Sequence, residues 1–122
     1  MAACVLVDTS AIVGLFIKGD EWHKPAREAF EEIRARRRRL LSTSDIFDEA
    51  VTAIRKWAGH EEAVAAGEVL RKSALIKVLG IDDETREEAW GLFKRYDDQN
   101  LSLTDRTSFA VMEKFGIREA FT

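Results

Sequence analysis

Four short apolar blocks, "ACVLV" (residues 3 to 7), "LLST" (40 to 43), "ALIKVLG" (74 to 80) and "EAFT" (119 to 122), are separated by segments long enough for helices and never by a hairpin signal. Strands spaced in this way cannot meet through tight turns, so they pair in parallel and need helical crossovers. The crossovers must cover the sheet, because parallel sheets are buried on both faces. The expected class is α/β, a short parallel β-sheet in three layers with helices on both faces.

The intervening segments carry helix signals of their own. "TSAIVGLFIKGD" offers Thr9 or Ser10 as a cap and Gly19 near the exit. "DEWHKPAREAFEEIRARRRR" puts Pro25 in a first turn and Ala26, Ala29, Phe30 and Ile33 at helical spacing. Ile46, Ala50, Ile54 and Trp57 form a stripe ahead of Gly59, and "HEEAVAAGEVLRKS" supplies another helix. "DDETREEAWGLFKRYDD" has acids in its first turn and Lys94 and Arg95 near its end, matching the helix macrodipole. After the loop "QNLS", the stretch "SLTD" reads as a capping box opening a last helix. On a helical wheel Asp105 shares its face with Phe109 and Met112, the stripe expected to meet the core.

A chain of 122 residues suits one domain, spanning 1 to 122. Its net charge of -3 gives no general attraction to nucleic acid, so any such contact must be local. The one cysteine, Cys4, lies in an apolar block and is expected to be a buried structural thiol in a reducing compartment. The apolar run from 11 to 17 is far short of the roughly 20 residues that cross a bilayer. With no basic leader at the N-terminus, a cytoplasmic location without membrane contact is expected. His23 and His60 fall near helix starts, where capping or surface roles suffice, and no His/Cys set has zinc spacing. Phosphate-binding glycine loops and a nucleophile elbow are also missing.

Parallel sheets bind ligands at the carboxyl ends of their strands, and three acids fall there. Asp8 directly follows the first block. Glu49 lies in the opening turns after the second, at the border of the apolar stripe, whereas Asp48 turns toward water. Asp105 opens the last helix. Each has a structural explanation, as a cap, a surface Glu and a capping box. Gathered at one edge, however, they would repel one another and raise their own pKa values unless a cation lay between them. Mg²⁺ or Mn²⁺, hard ions that prefer oxygen ligands, suit such a cluster. Arg36, Arg37, Arg38 and Arg39 form the strongest basic run, which is first read as a solvated helix C-terminus and second as a grip on RNA phosphates.

The segments "VLVDTSAIVGLF", "STSDIFDEAVTAIR" and "LSLTDRTSFAVMEKFGI", in this order over nearly the whole chain, resemble the motifs of the PIN-domain family. The resemblance is specifically to VapC-type toxins of type II toxin-antitoxin systems. It implies a PIN-like fold and a metal-dependent endoribonuclease in which Asp8, Glu49 and Asp105 bind Mg²⁺ or Mn²⁺. Ser10 and Thr104 stand where such proteins often place supporting hydroxyls. A metal-activated water would attack an RNA phosphodiester, and the partners implied are RNA, a VapB-like antitoxin and a second copy in a homodimer. These domains commonly carry a fourth acid two residues beyond a Thr such as Thr122, the last residue given, so the number of metals stays open. Two other readings remain: a non-catalytic PIN-like module that binds RNA or protein, and a phosphatase using Asp8 as nucleophile. Against the latter, Ser10 occupies the place of the second Asp such an enzyme needs.

Overall fold

The computed structural model describes residues 4–97 and 100–122, so the expectations placed on Ala3, Asp98 and Gln99 lie outside the described residues. In chain order the elements are β1 (Cys4–Val7), α1 (Thr9–Phe16), α2 (His23–Ala35), β2 (Arg39–Thr43) and α3 (Ser44–Ala58). They continue as α4 (His60–Lys72), β3 (Ile76–Leu79), α5 (Asp83–Arg95), α6 (Leu103–Phe115) and β4 (Glu119–Phe121). Every strand pair is parallel and the spatial order is β3-β2-β1-β4.

The connections from β1 to β2 and from β2 to β3 step in one direction, whereas β3 to β4 returns to the far side of β1. With right-handed crossovers this reversal puts α1 to α4 on one face and α5 and α6 on the other. The expected three-layer α/β architecture is met. The reversal also creates a switch point between β1 and β4, where open parallel sheets form a crevice. Asp8 sits there, its backbone N–H donating to the Phe121 carbonyl at 2.9 Å.

The chain 20 to 39 is not one helix. α2 ends at Ala35, and Arg37 takes the left-handed conformation with φ of 54°. The Arg37 N–H donates to the Arg34 carbonyl and that of Arg38 to the Ile33 carbonyl, a Schellman closure that turns Arg39 into the start of β2. The basic run is thus shared between a helix end and a strand.

The orientation of α6 also differs from expectation. Its buried residues are Arg106, Thr107, Ser108, Ala110 and Val111, while Phe109 is 44% exposed. α6 packs against α5, whose buried residues are Thr85 and Ala89. The pair closes through small side chains, which allow the helix axes to approach, and the bulkier Phe109 is left outside. Asp105 therefore sits half-buried at the rim, off the buried arc.

Cys4 is only partly buried, on a stretch of sheet that the helices leave open. His23 does not cap the start of α2; its Nδ1 donates to the Gly14 carbonyl of α1 at 2.8 Å, tying the two helices together. Among the described residues no helix is long and apolar enough to cross a membrane.

Gly14 sets the distance between α1 and α2. A Cβ added to it would lie 3.1 Å from Ala26 Cβ, tighter than normal packing, with the Trp22 carbonyl oxygen in contact at 3.4 Å. Gly14→Val should destabilise the fold by about 1 to 3 kcal/mol, read as a lower midpoint in urea denaturation with an unchanged slope.

Candidate active site

Local chemistry fixes the ends of the two central strands. Asp8 leaves β1 in an extended conformation and caps α1, its Oδ1 accepting from Thr9 N–H at 2.8 Å. The fully buried Ser42 donates from Oγ to the Val7 carbonyl at 2.9 Å, joining the end of β2 to the residue before Asp8. Thr43, also fully buried, caps α3 by accepting from Ile46 N–H at 3.1 Å, and so aims the turns that carry Glu49. The capping box on α6 is complete: Ser102 Oγ accepts from Asp105 N–H at 3.1 Å, and Asp105 Oδ2 accepts from Ser102 N–H at 2.9 Å.

These anchors bring the three acids into one electrostatic neighbourhood. Burial pushes the Asp8 carboxyl above its ordinary range; the Thr9 N–H opposes this, and the nearby Asp105 and Glu49 raise it further. Asp48, next to Glu49 in sequence, acts instead on Arg86. Both lie exposed on α3, but only Glu49 reaches toward Asp8.

Other acids, packed beside α5, have cationic partners. Arg86 of α5 donates to both oxygens of Asp45, at 3.2 and 2.8 Å, tying α5 to α3. Lys114 donates to Asp82 at 2.7 Å and, with the Thr85 N–H and hydroxyl, holds that carboxylate well below the usual range. Among the described residues no ion pair reaches Asp8, Glu49 or Asp105. As their side chains stand, no three acid, imidazole or thiol groups among the described residues are grouped tightly enough to hold one ion. Asp105 is turned back onto its own cap. The donor set is nevertheless all oxygen and all anionic, which suits a hard divalent cation.

The hydrogen bonds of Asp8 and Asp105 go to the backbone of Thr9 and Ser102, not to the Ser10 or Thr104 hydroxyls. The hydroxyls that do hold these turns are Ser42, whose bond to Val7 depends on β1 and β2 being neighbours, and Thr43, whose cap on α3 is local to the chain. Arg106 is a second unforeseen element. It is 5% exposed, donates from Nη2 to the Tyr96 carbonyl at 3.4 Å and lies 5.4 Å from the Tyr96 ring centre, pinning α6 beside Asp105. An Arg following an Asp in a polar first turn carries no sign of burial. Arg36 to Arg39 lie at the opposite edge of the sheet from the acids, with Arg38 paired to Glu119 at 2.6 Å. The strands between are roughly 15 Å long.

A family model described as PIN domain matches residues 5–122. The chain belongs to the PIN-domain family. This PIN domain is 32% identical over 117 residues to the 23S rRNA-specific endonuclease VapC20 of Mycobacterium tuberculosis, covering 96% of this chain and 86% of that protein. The crystal structure of Mycobacterium tuberculosis VapC20, described as a sarcin-ricin loop cleaving toxin, superposes with a TM-score of 0.86 and 31% identity. That match covers 97% of this chain and 88% of the other. A toxin-antitoxin complex from Klebsiella pneumoniae shares the fold, with a TM-score of 0.64 at 18% identity over 94% of this chain and 82% of that one.

The raised Asp8 pKa has a definite sign in stability. Because the folded state binds this proton more tightly than the unfolded chain, ionised Asp8 opposes folding at neutral pH. The opposition vanishes as the pH falls below the ordinary carboxyl value of 3.8. Asp8→Asn keeps an acceptor for the cap and should melt at a higher temperature than wild type at neutral pH. That gain should disappear below about pH 4 in thermal unfolding followed by circular dichroism.

Proposed function

We propose that this chain is an endoribonuclease toxin of the VapC type, and that Asp8, Glu49 and Asp105 form its metal-dependent centre. The observation that carries this reading is the Asp8 carboxyl, half-buried at the switch point and raised further by two acids from distant segments, with none of the three ion-paired among the described residues. Identity to an RNA-cleaving relative over 96% of the chain supports RNA, and ribosomal RNA in particular, as the substrate class.

Three carboxylates without a cationic partner are the donor chemistry that Mg²⁺ or Mn²⁺ requires. Bound there, the ion would acidify a water and offset charge in the phosphorane-like transition state. The chain's own part is positional. Asp8 is held by the Thr9 N–H, by Phe121 through its own backbone N–H, and by Ser42 through Val7. Glu49 extends from a helix capped by Thr43. Asp105 uses Oδ2 for the Ser102 N–H, which leaves Oδ1 to serve the centre. No side-chain nucleophile is needed, since the acids act only by orienting charge and water.

This reading includes a VapB-like antitoxin that covers the acidic edge and a homodimer. The exposed, stacked pair of Trp90 and Phe93 on α5, with ring centres 5.7 Å apart, offers an apolar surface for the second copy. Cleavage of ribosomal RNA by the purified chain should require Mg²⁺ or Mn²⁺ and stop in EDTA. Asp8→Asn and Asp105→Asn should each lower the rate at least about 100-fold, while Asp48→Asn stays close to wild type. Unchanged rates in both of the first two variants would remove the proposed centre. Firm RNA binding without cleavage under either cation would favour the non-catalytic module.

A further inference from the structure

The sheet has a second chemically distinct edge. Starting at the amino-terminal ends of β1 and β2 and running over the open face of the sheet as far as Leu79, the last residue of β3, a groove of about 740 Å³ is lined by five cationic side chains and no acid. Its cations come from four places: Arg34 in α2, Arg37 and Arg38 in the turn that follows, Arg39 at the start of β2, and Lys77 in β3. Lys77 pairs in register with Leu41, whose side chain lines the same groove. The floor is apolar, and Phe115 at the end of α6 stands at its margin, 56% exposed.

Helix macrodipoles account for part of this charge, since Arg34 ends α2. They do not account for Arg39 and Lys77, which are on strands. Arg38 is bound to Glu119 and Arg34 lies near Glu31, but among the described residues no carboxylate pairs with Arg37, Arg39 or Lys77. Arg37 holds the left-handed position that Gly116 fills at the matching end of α6. A non-glycine residue costs about 1 kcal/mol there, and the chain carries a cation in spite of it. In a molecule of net charge -3, such a groove is a local concentration of positive charge.

We infer that this groove binds a single-stranded stretch of the RNA substrate away from the scissile bond, with Arg37, Arg39 and Lys77 on phosphates and Phe115 stacking on a base. The inference rests on the ribonuclease reading for its ligand. Spaced cations over an apolar floor with one exposed aromatic ring match unpaired nucleic acid, which presents phosphates and base faces together. An acidic peptide would satisfy the cations but leave the ring without a flat partner. The cations cluster toward the strand starts and the acids lie at the strand ends, so an RNA that engages both must span the length of the strands.

The test is fluorescence anisotropy with the Asp8→Asn chain in EDTA, titrating unstructured RNAs of about four and about twenty nucleotides. The combined Arg37→Asn, Arg39→Gln and Lys77→Gln variant should bind the long RNA at least about tenfold more weakly and lose about 2 from the slope of log affinity against log salt. Asn suits the left-handed position, and the three sites are exposed, so folding should be retained. Phe115→Leu should weaken long-RNA binding about tenfold, and Arg39→Lys should preserve it. Long-RNA affinity and salt slope unchanged in the combined variant would overturn the inference. So would tighter binding of polyglutamate than of RNA, or head-to-tail self-association that only this variant abolishes. Wild type that cleaves no RNA under Mg²⁺ or Mn²⁺ would sink the nuclease reading separately, because the groove is judged from metal-free binding.

Discussion

β1 is paired in parallel on both sides, with β2 through Val5 and Leu40 and with β4 through Val7 and Phe121, and this double pairing dictates where charge collects. All strands end at one edge, so the helices that follow them begin there. Helix starts present unpaired N–H groups and the positive end of the dipole, and acids are stabilised beside them. Asp8, Asp82 and Asp105 all use that stabilisation as caps. Asp82 gains a lysine as well, and its carboxylate is held low. Asp8 gains only one N–H while losing water and facing two more acids, so its balance tips the other way. One architectural rule thus produces both ordinary caps and a site short of positive charge.

Crevice and core are coupled through small polar groups. Ser42 and Thr43 are fully buried, yet each has its hydrogen-bond partner, so neither leaves an unsatisfied hydroxyl in the interior. The Ser42 bond registers β2 against β1 just before Asp8, and the Thr43 bond starts α3. Arg86 fastens α5 to α3 through the half-buried Asp45, and Lys114 fastens α6 to α5 through the exposed Asp82.

The opposite edge shows the reverse polarity. Strand starts and helix ends gather there, and the basic run contributes to both because Arg37 turns the chain between α2 and β2. The result is a molecule of modest net charge whose two sheet edges are strongly and oppositely charged. On the function proposed above, this would separate the chemistry at the acids from the holding of a polyanion. Acids and phosphates repel, so a grip on RNA is best placed away from the acid edge.

Much of this was legible in the chain. Strand blocks, helix stripes, the Asp8 cap and the complete "SLTD" capping box depend on residues within about four positions of one another, where backbone geometry and periodicity act directly. The absence of hairpin signals likewise dictated parallel pairing and helices on both faces. What escaped depends on distant partners. The buried face of α6 follows from small side chains on α5, so wheel geometry alone misplaced Phe109. Ser42 acts on Val7 across 35 residues, and the division of labour between Glu49 and Asp48 is set by Asp8 on one side and Arg86 on the other. Sequence by itself determined the elements, their caps and the class of sheet, because those are short-range. Tertiary structure alone decided which acids share a crevice and which arginines share a groove, because crossovers, not chain neighbours, bring them together.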